Sequence, residues 1–252
     1  MLLVVLTLSY RQTIFAYPGG GGAYIVARDN LGEGPAQTAG AALLTDYILT
    51  VAVSIASGVE QIISAFPGLR LYQVEICVAL ILIMMLVNLR GVKESGRAFA
   101  GPTYFFIAMM FITLGVGFYR LFNGTLGKVE GVETVASSVG PLTLFLVLRA
   151  FSSGCTALTG VEAISNGITA FKEPKSRNAA ATMAWMSAIL GTMFLGITYL
   201  ALQIHAVPSD QETVISQLGR TVFGRSSFYF LEIAATTAIL IMARPGASIL
   251  IA

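Results

Sequence analysis

Charge is what this chain has least of. Asp, Glu, Lys and Arg make up 11% of its 252 residues, less than half the roughly 25% of an ordinary soluble domain. Fifteen basic residues against 13 acidic ones leave a net charge of +2, too slight a balance to draw in nucleic acid. Histidine occurs once, at His205, and cysteine twice, at Cys77 and Cys155. So few soft ligands exclude a zinc framework, and the two thiols, both in apolar surroundings, read as small buried hydrophobes. Catalytic patterns are missing as well. No nucleophile, base and acid stand in a recognisable arrangement, and the run Gly19-Gly20-Gly21-Gly22 lacks the lysine and hydroxyl of a phosphate loop. Neither an enzyme nor a cofactor is expected.

Apolar residues fill the sequence instead, 56% of it, in long runs parted by short polar loops. Spans are predicted at 36–65, 72–89, 98–121, 141–171, 179–204 and 228–242, near or above the ~20 residues that cross a bilayer as a helix. Residues 1–18 read as the end of another span, stopped by Pro18 and the glycine run. Residues 212–224 carry Val214, Ile215, Leu218, Val222 and Phe223 at helical spacing and read as an amphipathic helix on the outer surface. Basic residues crowd two loops: Arg90, Lys93 and Arg97 in 90–97, and Lys172, Lys175 and Arg177 in 172–178. The positive-inside rule puts those loops, with 19–35, on the cytoplasmic side. The fold class is therefore all-α, a multi-pass protein of the plasma membrane whose solvent is the lipid bilayer. Both ends fall in apolar sequence, so the chain is expected to be a piece of a longer transporter domain.

Two polar constellations interrupt the apolar runs. The stretch 141–171 is too long for one regular span. At its middle stand Ser152-Ser153-Gly154 and Thr159-Gly160-Val161-Glu162, with Ser165-Asn166-Gly167 at its end. Glycines and hydroxyls around a glutamate predict a broken helix, and irregular backbone survives in a membrane where it is buried or lines a cavity. An ionisable group at that depth costs roughly 2.5–3.5 kcal/mol on insertion scales, so it is rarely idle. Glu162 is expected to cap the break structurally, to couple protons or to touch substrate. Thr159 and Gly160 stand where freed carbonyls and helix N–H groups can bind an ion.

The second constellation lies in 36–65. Tyr47, Thr50, Ser54 and Ser57 follow one another at helical spacing, so they form a stripe on one face, with Asp46 at its edge. Ten residues from Ala36 at 1.5 Å each put Asp46 roughly 15 Å deep, near the bilayer midplane. Phenol, hydroxyl and carboxylate oxygens in a row could ligate a cation. Packing of small hydroxyl residues between helices is the plain alternative, though it does not call for Asp46. Arg149, inside a span, is expected to pair with Glu60, Glu75 or Glu232.

Three phrases carry a resemblance. They are Tyr17-Pro18-Gly19-Gly20-Gly21-Gly22-Ala23-Tyr24-Ile25-Val26, the run from Asp46 to Ser54, and the run from Ala150 to Asn166. Together they resemble the KUP-type, KimA-like potassium importers of the amino acid–polyamine–organocation (APC) permease superfamily. The resemblance implies part of an inverted-repeat transporter fold, from the end of its second helix (1–18) through its third (36–65) and broken sixth (141–171) to its eighth (228–242). It implies that Tyr47, Thr50, Ser54 and Thr159 bind K+, and that the protein imports potassium with protons and works as a homodimer. It also implies site residues on a first and a tenth helix and a regulatory tail, none of which these 252 residues include.

The leading expectation is thus a secondary active symporter for K+ and H+, with Tyr47, Thr50, Ser54 and Thr159 as ion ligands. Asp46, Glu162 and Gly160 would serve coupling or support the site. An amino acid permease is the alternative within transport, its substrate carboxylate held near Gly160. A non-transporting membrane component, or an inactive truncated product, is the alternative outside it.

Overall fold

The computed structural model describes residues 2–89, 95–129, 131, 143–156 and 161–242. Among them every regular element is a helix, as a backbone without water to bond requires. In chain order these are α1 (Leu2–Ala16), α2 (Gly22–Leu31), α3 (Glu33–Ala65), α4 (Gln73–Leu89), α5 (Ser95–Phe122), α6 (Leu144–Thr156), α7 (Glu162–Asn166), α8 (Lys175–Gln203), α9 (Val214–Phe223) and α10 (Ser227–Met242). Short 3₁₀ turns at Pro67–Tyr72 and Ile168–Ala170 precede α4 and follow α7.

Four stretches among the described residues are long and apolar enough to cross a membrane: Glu33–Ala65, Pro67–Leu86, Ala100–Phe122 and Lys175–Gln203, with mean hydropathies of 1.7, 2.0, 1.8 and 1.6. α1 and α10 are apolar but shorter. Much of this apolar surface is open. Ile48 and Leu49 on α3, Val74 on α4, and Trp185 and Leu195 on α8 are each more than half exposed. In water such surface would drive aggregation; against acyl chains it costs nothing. The chain is an all-α, multi-pass membrane protein of the plasma membrane.

The chain divides into two bodies, one drawn from Met1–Val51 with Ser138–Thr192, the other from Ala52–Ser137 with Met193–Ala243. In the first body α7 packs on α1 and α2, and the core gathers Ile14, Val161, Ile168, Ala179, Ala180 and Met183. Thr7 on α1 gives its hydrogen to the Leu3 carbonyl at 2.7 Å and so accepts from Ser187 Oγ on α8 at 2.8 Å. The predicted span 141–171 is not helical to its end: after α6, residues 161–171 hold only the five-residue α7 and a 3₁₀ turn.

In the second body α10 packs on α5 and α9, and α5 on α9. One core here joins Leu114, Leu200, Ile204, Leu218 and Val222, and another joins Ala65, Tyr229 and Ile233. Gly117 lets Leu200 approach, since a Cβ there would stand 2.7 Å from Leu200 Cδ1. α9 is the polar hinge of this packing. Thr213 caps it by accepting from Ser216 N at 3.2 Å. Ser216 Oγ donates to Glu212 Oε1 at 2.8 Å and so accepts from Tyr229 Oη at 2.7 Å. Glu212 also pairs with Arg220 at 2.9 Å.

Gln217, fully buried on α9, fastens the preceding loop. Its Oε1 accepts from Val207 N at 3.1 Å, and its Nε2 donates to the carbonyls of Val207 at 2.8 Å and Glu212 at 3.0 Å. Each buried backbone group left without a partner costs about 1–3 kcal/mol. Gln217→Leu therefore lowers stability by at least that amount, whereas Arg225→Ala, an exposed residue nearby, leaves it within about 0.5 kcal/mol. Thermal unfolding in detergent micelles, followed by helical circular dichroism, measures the difference.

Candidate cation site

The glycine run after Pro18 turns with Gly20, Gly21 and Gly22 all at positive φ (79°, 90° and 46°), a region that side chains with a Cβ avoid. The turn brings the backbone onto Asn166 at the end of α7. Gly21 N–H donates to the Asn166 carbonyl at 3.4 Å. A Cβ at Gly20 would stand 2.9 Å from the same carbonyl oxygen, and one at Gly22 would collide with the Asn166 side-chain oxygen Oδ1. The glycines thus exist for close approach, not for flexibility.

Asn166 then reaches α3. Its Nδ2 donates to Tyr47 Oη at 2.7 Å, while its Oδ1 is buried without a hydrogen-bond partner. Tyr47 keeps its own phenolic hydrogen and a second lone pair for another group. Asp46, Tyr47 and Thr50 are half-buried, whereas Ile48 and Leu49 between them are exposed. The oxygen-bearing face of this part of α3 therefore turns inward and the aliphatic face outward. Ser54 and Ser57 are half-buried too, on the part of α3 that belongs to the second body.

Glu162 opens α7 and is half-buried. Its carbonyl accepts from Ser165 Oγ at 2.9 Å. Tyr10 on α1 lies near Glu162, Tyr47 and Asp46, and Tyr47 lies near Glu162 and Asp46. Two carboxyls and two phenols thus share one neighbourhood of the first body. Thr159 and Gly160 lie outside the described residues. Arg149 is exposed on α6.

Sequence reasoning missed Asn166 and Tyr10. Asn166 sat inside a quoted phrase, but nothing in one dimension tied it to Gly20–Gly22 or to Tyr47, more than a hundred residues away. Tyr10 stood at the end of an apolar run, beside Arg11, with nothing local to tie it to Glu162 or Tyr47.

The profile of the amino acid permease family matches residues 1–248. The chain is 50% identical over 243 residues, 96% of its length, to Potassium transporter KimA of Bacillus subtilis (strain 168), covering 40% of that protein. It is 25% identical over 204 residues, 79% of its length, to the Low-affinity putrescine importer PlaP of Escherichia coli (strain K12), covering 43% of it. A shorter stretch of 98 residues is 38% identical to the Probable potassium transport system protein Kup of Streptococcus pyogenes serotype M5 (strain Manfredo), covering 14% of it. The chain thus spans about two fifths of the first two relatives.

The asparagine link sets a prediction. Gly22→Ala places a methyl on the Asn166 side-chain oxygen and forces a Cβ residue to positive φ, a strain of about 1–3 kcal/mol. Gly19→Ala, at ordinary φ and with open space beside it, is expected to fold as wild type. Comparing the unfolding midpoints of the two variants checks the assignment.

Proposed function

This chain belongs to the amino acid permease family, and from that premise we propose that it is part of a proton-coupled potassium importer. Tyr47, Thr50 and Ser54 on α3, with Thr159 beyond α6, supply oxygens to K+. Asp46 and Glu162 couple protons or hold the site open, and Gly160 leaves the backbone free near the ion. The observation that carries this reading is the 50% identity to a protein named as a potassium transporter over 96% of the chain, with the inward face of α3 rich in neutral oxygens.

The chemistry fits a monovalent cation. Hard cations take oxygen ligands, and potassium in particular is stripped of water by neutral oxygens that replace its hydration shell. A phenol and hydroxyls at successive turns of a rigid helix offer such oxygens in a fixed row. The link from Asn166 holds the Tyr47 phenol in place from one side and leaves a lone pair for the ion.

The site is completed by residues of the whole importer outside this chain. The loops 19–35, 90–97 and 172–178 face the cytoplasm, where their lysines and arginines belong, and the importer works as a homodimer. An amino acid or polyamine substrate is the competing reading, favoured by the family and by the likeness to a putrescine importer.

Growth of a bacterium lacking its own potassium importers tests both. The gene is expected to restore growth at limiting potassium, and Tyr47→Phe with Thr159→Val to abolish the rescue while the protein still reaches the membrane. Equal growth of the double variant and wild type would falsify the ligand assignment. Uptake of labelled amino acids or putrescine with no potassium effect would move the substrate to the competing class.

A further inference from the structure

Glu232 stands apart from everything above. It sits one turn after Tyr229 on α10, in the second body, with 1% of its surface exposed. Neither of its carboxyl oxygens has a hydrogen-bond partner. An ionised carboxylate in such a place loses its hydration with nothing in return, a cost so large that the group takes up a proton instead.

The surroundings agree with a neutral acid. On α9 the carboxyl lies directly over Gly219, where any Cβ would collide with Oε2; glycine leaves room for the carboxyl but offers no charge. On α5 the neighbouring hydroxyl is that of Thr113, itself fully buried. Thr113 Oγ1 gives its one hydrogen to the Met109 carbonyl at 3.0 Å. It can therefore accept a hydrogen from Glu232 but has none to donate to a carboxylate.

The charged groups on the packed elements are engaged elsewhere. Arg120 on α5 donates to the carbonyls of Thr125, Thr221 and Val222, and Arg220 on α9 holds Glu212. On α10 itself Tyr229 bonds Ser216. α3 approaches α10 at Gly58, beside Leu240 and Ile241, and its Glu60 is exposed.

We propose that Glu232 is a proton-binding site, loaded while α5, α9 and α10 are packed as described and released only when water reaches the space between Gly219 and Thr113. The proton is held as a carboxylic acid, with Thr113 Oγ1 the neighbouring oxygen able to accept its hydrogen. This site is separate from Asp46 and Glu162 and does not depend on which solute the protein carries.

Infrared difference spectroscopy of the full chain in lipid vesicles at neutral pH tests it without any transport assay. Subtracting Glu232→Gln, which keeps the shape of a neutral acid, from wild type is expected to leave a carboxylic-acid carbonyl band and no ionised-carboxylate band. In Thr113→Val that acid band is expected to shift without vanishing, because its acceptor is gone. Loss of ionised-carboxylate intensity in Glu232→Gln overturns the proposal. So does an acid band unmoved by Thr113→Val, and that second variant gives the decision alone should Glu232→Gln fail to fold.

Discussion

A backbone placed in hydrocarbon must bond to itself, and the rest of this structure follows from that constraint. Helices satisfy it within each segment, which is why the long apolar runs are helical and why their side chains can be left open to lipid. The difficulty moves to the places where a helix stops. There the free N–H and carbonyl groups need partners from elsewhere in the fold.

The two bodies meet that need through one asparagine and one glutamine. In the first, the main-chain carbonyl of Asn166 receives the Gly21 N–H while its side chain holds Tyr47. In the second, Gln217 satisfies both main-chain groups of Val207 and the carbonyl of Glu212. A carboxamide suits this work because it offers hydrogen bonds and carries no charge to desolvate. The glycines beside Asn166 are the counterpart: a loop can lie this close to another backbone only where no Cβ intervenes.

Within this framework the polar side chains fall into an oxygen-bearing row on α3 and a few carboxyls. The row comes from the period of one helix, with Tyr47 braced by Asn166. The carboxyls stand in two different settings. Asp46 and Glu162 are half-buried among phenols, where a solute or water can reach them, whereas Glu232 is sealed between helices against a glycine and a hydroxyl that has no hydrogen to spare. That contrast in surroundings separates two half-buried carboxyls from one that is closed off from water.

Much of the fold was legible in one dimension. Apolar length announces membrane helices, because the cost of burying polar residues in lipid is paid residue by residue and needs no tertiary partner. The α3 stripe was legible for a similar reason: the 3.6-residue period puts Tyr47, Thr50 and Ser54 on one face whatever surrounds the helix. The short extent of α7 was not legible. What the sequence by itself determined, then, was everything set by composition and by the period of a single helix. Only the tertiary structure decided which polar groups meet. It chose Asn166 as the brace for Tyr47 and buried Glu232 against Gly219. Those outcomes depend on distances between residues far apart in the chain, and no local period encodes them.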